Sequence, residues 1–227
     1  MTLVTHCNDF CHVLNLQLNT IFTTLYMLGK NCSVIILSGG KSERMNFPKP
    51  YLMIDGMTFL DKIIDTYFTL GVETICVVMN EEFCKDEWGL FLQKSKNKIT
   101  LTKNENPMLG RFHSLKLGLK KVLNDDFCFI QNIDNPFVNS QVILELWNNR
   151  REDGFVSPVY KNYGGHPILI SKKVIQQLDA MNEEDLNLKE VLNMFSKTVV
   201  EVDDETILMN INTPEQYRHF VHDKITA

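Results

Sequence analysis

The chain has 227 residues and a formal charge of −5, from 23 Lys and Arg against 28 Asp and Glu. That length suits one domain with a large buried core, and 44% hydrophobic with 22% charged residues is a globular composition. The acidic balance excludes a protein that coats nucleic acid, which would carry a basic footprint, but leaves room for a local basic pocket.

Six cysteines (Cys7, Cys11, Cys32, Cys76, Cys84 and Cys128) are scattered along the chain. Cys32, Cys76 and Cys128 sit in or beside apolar runs and read as inert core thiols. No disulfide framework is implied, so a reducing cytoplasm is expected.

Residues 1–32 read as an N-terminal extension ahead of a domain spanning 33–227. Phe10, Leu14, Leu18, Ile21, Leu25 and Leu28 recur at steps of three and four, the stripe of a helix that packs on the domain or binds a partner. Asn15, Gln17 and Asn19 break the apolar run and no basic start precedes it, so neither a signal peptide nor a membrane span is expected. His6, Cys7, Cys11 and His12 are metal-ligating types, but their close spacing suits a four-ligand site badly and ordinary side chains are expected. Met27, just before the domain, is an alternative start.

From residue 33 strands and helices alternate. Val34-Ile35-Ile36-Leu37 is a buried parallel strand, and it stops at Ser38-Gly39-Gly40. A basic loop with Lys41, Arg44 and Lys49 follows. Phe59, Leu60, Ile63, Ile64, Tyr67 and Phe68 form a helical stripe ending at Gly71. Further strands are expected over 73–79, 99–102 and 127–130. A polar helical segment around Trp88 and helices through Phe112–Val122 and 139–150 separate or follow them. This βαβ alternation implies a mostly parallel sheet covered on both faces. Beyond residue 154 come strands over 154–160 and 165–170, helices near 171–180 and 187–195, and late strands over 199–202 and 207–211. A last helix follows, with Thr213 as N-cap and Pro214 as its first residue.

In such sheets ligands bind beyond the carboxyl ends of the strands. Three polar clusters fall there: Ser38–Gly40, Asn132–Pro136 and Asn210–Pro214. The first lacks the Gly-Lys-Ser/Thr of a Walker loop and is not GxGxxG, which disfavours hydride transfer to a dinucleotide. From the residues alone it is either a phosphate cradle, with free N–H groups and three cations nearby, or a plain strand-to-helix turn. Asp134 either caps the next helix or holds Mg²⁺, with a neutral amide oxygen from Asn210 or Asn212 opposite it.

Five segments stand in order along the chain: LSGGKSERMNFPK, Gly110–Leu119, Ile133–Phe137, Gly164-Gly165-His166-Pro167 and Asn210–Glu215. Together they resemble the motifs of one family, the MobA-like nucleotidyltransferases. The resemblance covers about 33–220, and its Ser-Leu and Gly-His-Pro elements look closest to molybdenum cofactor cytidylyltransferases. It implies a Rossmann-like three-layer α/β/α core with a mixed sheet, of the nucleotide-diphospho-sugar transferase type. It also implies transfer of a nucleoside monophosphate, CMP favoured, from an NTP to a phosphorylated acceptor such as molybdopterin, with Mg²⁺ and release of pyrophosphate. A sugar- or alditol-phosphate transferase and a non-catalytic nucleotide binder are the alternatives.

The resemblance also distributes roles. Leu37, Ser38, Gly39 and Gly40 hold the triphosphate; Arg44 and Lys49 offset growing charge. Asp134 takes the metal with Asn212 or Asn210. Asn80, Asn106 and Ser114 face base or ribose, and His166 meets the acceptor. Each has a plainer alternative: Asn80 as a cap, Ser114 bonding its own helix, His166 as a turn residue. The sequence departs from the family at Asn46, where a glycine is usual, at Asn135, where glutamine is usual, and at Asn210 and Asn212, where cytidylyltransferases usually carry aspartates.

Overall fold

β1 (Cys32–Ser38) is buried along its whole length. Val34 and Ile36 join one apolar cluster, while Ile35 and Leu37 join a second on the opposite face. Burial on both sides explains why the run is apolar throughout instead of alternating. The computed structural model describes residue 28 and residues 31–85, 88–93, 95–137, 139–183 and 186–223. The expected helical stripe from Phe10 to Leu28, apart from Leu28 itself, and the His6–His12 group lie outside the described residues.

In chain order, β1 is followed by β2 (Met53–Ile54), β3 (Met57–Thr58), α1 (Phe59–Thr69), β4 (Thr74–Asn80), α2 (Gly89–Gln93) and β5 (Thr100–Asn104). Next come α3 (Gly110–Leu119), β6 (Phe127–Asn132), α4 (Ser140–Asn148), β7 (Gly154–Tyr160), β8 (Tyr163–Gly164) and β9 (Ile168–Ser171). α5 (Lys172–Ala180), α6 (Leu188–Leu192), β10 (Ser196–Glu201) and α7 (Pro214–Asp223) complete it. The sheet order is β10-β7-β9-β6-β1-β4-β5, with β8 paired to β7; β2 and β3 form a separate hairpin. β1, β4, β5 and β6 run parallel, and β9 is antiparallel to both β6 and β7. This is the expected mostly parallel mixed sheet.

Helices cover both faces. Buried residues of α1 and α4 share one cluster, and those of α3, α5 and α6 share the other. α1 buries Phe59, Leu60, Ile63, Ile64 and Tyr67 on one side, each worth about 1.5–3 kcal/mol of transfer energy. Thr58 Oγ1 accepts the Asp61 N–H at 3.0 Å and caps its start. α3 lies tight against the sheet: a Cβ on Gly118 would lie 2.6 Å from Ile35 Cγ2. Nearer its start, α3 meets the loop after β1, where Ser114 packs against Gly39.

Some details differ from the sequence reading. β5 runs on to Asn104, two residues past its expected end. The expected strand over 165–170 begins only at Ile168, and Tyr163–Gly164 pairs with β7 instead. The expected strand over 207–211 is not one. Asp204 Oδ1 accepts the Thr206 N–H and hydroxyl, starting a 3₁₀ turn at Glu205–Leu208. The Ile207 carbonyl then takes the His166 N–H at 3.0 Å and the Asn135 amide at 3.2 Å, so it has no ladder to join. Asn135, where glutamine is usual, is thus a clamp for this turn, bonding the Thr206 carbonyl as well at 3.0 Å.

Cys32, Cys76 and Cys128 are buried free thiols, and burial pushes each thiol up, away from the reactive thiolate. Among the described residues no helix is long and apolar enough to cross a membrane.

Candidate active site

Two backbone hydrogen bonds gather the three polar clusters. The Ile133 N–H donates to the Leu37 carbonyl at 3.1 Å, and the Ile211 N–H to the Asp134 carbonyl at 2.7 Å. The loops after β1 and β6 and the segment before α7 therefore meet at the carboxyl ends of the parallel strands. They enclose a cavity of about 580 Å³, a size suited to a nucleotide-sized ligand. Leu37, Ser38, Gly39, Gly40, Arg44, Lys49, Ser114, Asp134 and Asn212 line it. Asn80, Asn106, His166 and Asn210 are outside its wall.

The glycine loop is packed rather than free. A Cβ on Gly39 would lie 2.5 Å from Ser114 Oγ and 2.8 Å from Asn104 Nδ2. Asn104 is fully buried and donates to Ser114 Oγ at 3.0 Å and to the Gly39 carbonyl at 3.4 Å. Ser114 Oγ in turn donates to the Gly110 carbonyl at 3.3 Å. Further on, Ser42 and Asn46 both take left-handed backbone, at φ 54° and 53°. Asparagine tolerates that region better than most residues, which accounts for Asn46 where glycine is usual.

Four cations line the cavity, Lys41, Arg44, Lys49 and Arg111, against Glu43 and Asp134. Lys41 and Glu43 pair at 3.6 Å in solvent, a contact worth little. Lys49 is half-buried and its ammonium donates to Asn212 Oδ1 at 2.7 Å. Burial lowers its pKa, Asp134 opposes that shift, and Arg44 and Arg111 add to it. Asp134 Oδ1 is buried with no hydrogen-bond partner, as are Asn210 Oδ1 and Ser38 Oγ. Leaving such atoms unpaired is costly unless a ligand or cation meets them. Among the described residues no three His, Cys, Asp or Glu gather into a metal cage. A lone carboxylate fits the open Mg²⁺ mode, in which substrate phosphates and water supply the other ligands.

His166 lies behind the wall. Asn132 Nδ2 stands 2.9 Å from its Nε2. With the amide nitrogen facing the ring, Nε2 is the acceptor of this contact, while the His166 Nδ1 is buried and without a hydrogen-bond partner. Burial lowers the His166 pKa, Arg111 adds to the shift and Asp134 opposes it. Asn80 Oδ1 accepts the Glu82 N–H at 3.0 Å and so caps the turn after β4. Asn106 is exposed, and its N–H donates to Asn104 Oδ1 at 2.9 Å. Sequence reading gives Asn104 no place at the site, and gives Arg111 and Asn132, though both fall in segments it singles out, no role there. Arg111 had a visible signal, a cation in the first turn of a helix already placed at the site.

A glycine loop, a basic wall and one unpartnered carboxylate oxygen thus meet at the ends of parallel strands, where sheets of this kind bind ligands. The chain belongs to the MobA-like NTP transferase family, whose domain model matches residues 34–202, and it is a nucleotidyltransferase. The molybdenum cofactor cytidylyltransferase of Escherichia coli is 26% identical over 190 residues, 81% of this chain and 92% of its own. A probable molybdenum cofactor guanylyltransferase of Methanocaldococcus jannaschii is 23% identical over 80% and 94%. Among solved structures, Rv0371c of Mycobacterium tuberculosis shares the fold, with TM-score 0.69, 18% identity and coverage of 84% and 98%. A second structure of Rv0371c, in complex with manganese, matches at TM-score 0.66.

Proposed function

We propose that this protein transfers CMP from CTP to a phosphorylated acceptor of the molybdopterin type and releases pyrophosphate. The observation that carries this reading is the convergence of the glycine loop, Arg44, Lys49, Arg111 and Asp134 on one cavity. The cytidylyltransferase relative and the Ser-Leu and Gly-His-Pro elements favour CMP and this acceptor class.

An acceptor phosphate oxygen attacks the α-phosphorus in line. A new P–O bond forms, the bond to the β-phosphate oxygen breaks, and pyrophosphate leaves with that electron pair. Such transfer needs positioning and charge neutralisation more than a protein nucleophile. Backbone N–H groups of Ser38–Gly40 hold the triphosphate. Arg44 and Lys49 offset charge growing on the α-phosphate and the leaving group. His166, held by Asn132 behind the wall, is assigned to the acceptor side on the family resemblance. The acceptor phosphate is already ionised, so no general base is assigned.

The residues present fit a divalent cation, Mg²⁺ by expectation. Asp134 Oδ1, buried without a partner in the cavity wall, would hold it, and Asn210 Oδ1, unpartnered too but outside that wall, is the candidate second oxygen. When bound, such an ion neutralises phosphate charge. The manganese held by Rv0371c supports a divalent ion of this kind.

The test is pyrophosphate release with Mg²⁺ across CTP, GTP, UTP and ATP, crossed with molybdopterin and with sugar and alditol phosphates. Release is expected with CTP and molybdopterin. Release only with a sugar or alditol phosphate would move the acceptor class. Nucleotide binding without release from any pair would replace transfer by binding alone.

A further inference from the structure

Lys49 and Asn212 are 163 residues apart in sequence, yet the Lys49 ammonium donates to Asn212 Oδ1 at 2.7 Å. Both ends of this contact are built. On one side, Thr213 Oγ1 accepts the Gln216 N–H at 3.3 Å. Gln216 Oε1 reaches back to the Asn212 N–H at 2.7 Å and the Thr213 N–H at 3.2 Å. This reciprocal capping of α7 fixes the backbone of Asn212. On the other side, Ser42 Oγ accepts the Lys49 N–H at 3.3 Å, and Lys49 opens the 3₁₀ turn Lys49–Tyr51.

A lysine has a long flexible stem and, unheld, spreads its charge over many rotamers. An amide oxygen takes one of the three ammonium hydrogens and leaves the charge whole. Two donors remain for phosphate oxygens. A carboxylate in the same place would neutralise the cation instead. Asn212 Oδ1 is also engaged, unlike Asn210 Oδ1, which is buried and unpartnered.

We infer that Asn212 is the positioning residue of Lys49, and that it acts through that ammonium and not as a metal ligand. The two asparagines of Asn210-Ile211-Asn212 then divide their duties, one toward the cation site and one toward Lys49. The inference rests on the cavity being a triphosphate site. Asn212→Asp, which keeps the contact but pairs the charge, should bind a polyphosphate more weakly than the native residue.

The experiment is calorimetric binding of CTP in excess chelator to the wild type, Lys49→Ala, Asn212→Ala and the double variant, with a melting midpoint for each. Lys49→Ala and Asn212→Ala should each weaken binding about tenfold, and the double variant should bind no worse than Lys49→Ala. Asn212→Ser carries the same cycle if Asn212→Ala melts early. A Mg²⁺ titration of pyrophosphate release completes the set, and Asn212→Ala should lower its plateau without moving its midpoint. Additive losses in the double variant, or a shifted Mg²⁺ midpoint, would overturn the inference. Absence of nucleotide binding to the wild type would instead overturn the triphosphate reading beneath it.

Discussion

Asn104 Nδ2 donates to Ser114 Oγ at 3.0 Å, and the same amide reaches the Gly39 carbonyl at 3.4 Å. One buried side chain thus ties the end of β5, the first turns of α3 and the glycine loop together. Asn104→Ala would leave the Ser114 hydroxyl, the Gly39 carbonyl and the Asn106 N–H short of a partner, at a cost of about 1–3 kcal/mol. We expect a lower urea midpoint together with weaker CTP binding by calorimetry. A variant that loses stability but binds as the wild type does would show that the clamp holds the fold and not the loop.

Neighbouring glycines in that loop should respond differently. A Cβ on Gly39 meets Ser114 Oγ at 2.5 Å, whereas one on Gly40 meets nothing within 4 Å. Gly39→Ala must push the loop off α3 and should cost about 1–3 kcal/mol. Gly40→Ala should stay within about 0.5 kcal/mol of the wild type. Thermal melts of the two variants side by side decide this, and equal shifts would contradict the packing described.

Asn46 tests how the loop absorbs its departure from the family. Its φ of 53° closes the 3₁₀ turn Glu43–Met45, with its N–H on the Glu43 carbonyl. Asn46→Gly should be nearly neutral, because glycine enters this region without strain. Asn46→Val puts a β-branched side chain there and should cost about 1–2 kcal/mol. Urea midpoints ranking Val with Gly would mean that the loop does not keep this backbone in solution.

Most of the fold was legible because its determinants are local. The apolar run of β1, the stripe of α1 and the Thr213-Pro214 start of α7 each declare themselves within a dozen residues. The site was legible through motifs that fall at strand ends. Asn104 was missed for a concrete reason: the strand was read as stopping two residues early, which took Asn104 off the rim where ligands bind. Asn132 falls in a polar cluster legible in the sequence, but its role is not, because it depends on His166, 34 residues away beside the antiparallel β9. The 207–211 error is of the same kind. Ile207, Met209 and Ile211 alternate like a strand, but Asp204 caps a turn and Asn135 takes the carbonyl that a ladder would need.

His166 gives a pH prediction with a definite sign. Burial holds its pKa down, Arg111 adds to that, and Asp134 opposes. The unfolded chain titrates this residue near the ordinary value of about 6.5. Between the two values the unfolded chain binds a proton that the folded chain refuses, so stability rises with pH. His166 therefore contributes fully above about pH 6.5 and progressively less as pH falls toward its folded pKa. His166→Gln should flatten the urea midpoint against pH between about 7 and 5. Parallel curves for the two proteins would remove His166 as a source of acid sensitivity.

Asp134 carries the sharpest separation of stability from function. Its Oδ1 is buried without a partner in a wall it shares with Lys49 and Asn212. A fold selected only for stability would not keep a bare carboxylate oxygen there, since a buried polar atom without a hydrogen bond costs free energy. Asp134→Asn keeps the shape, leaves the Ile211 N–H bonded to the residue 134 carbonyl, and removes the charge. The melting midpoint should stay or rise, while pyrophosphate release falls by about a thousandfold. Metal-free CTP binding should survive, because the anionic triphosphate gains from the loss of a nearby negative charge. Normal turnover in Asp134→Asn would take the cation site away from this residue. A large drop in midpoint would make Asp134 a structural acid, with the site's chemistry lying elsewhere on the cavity wall.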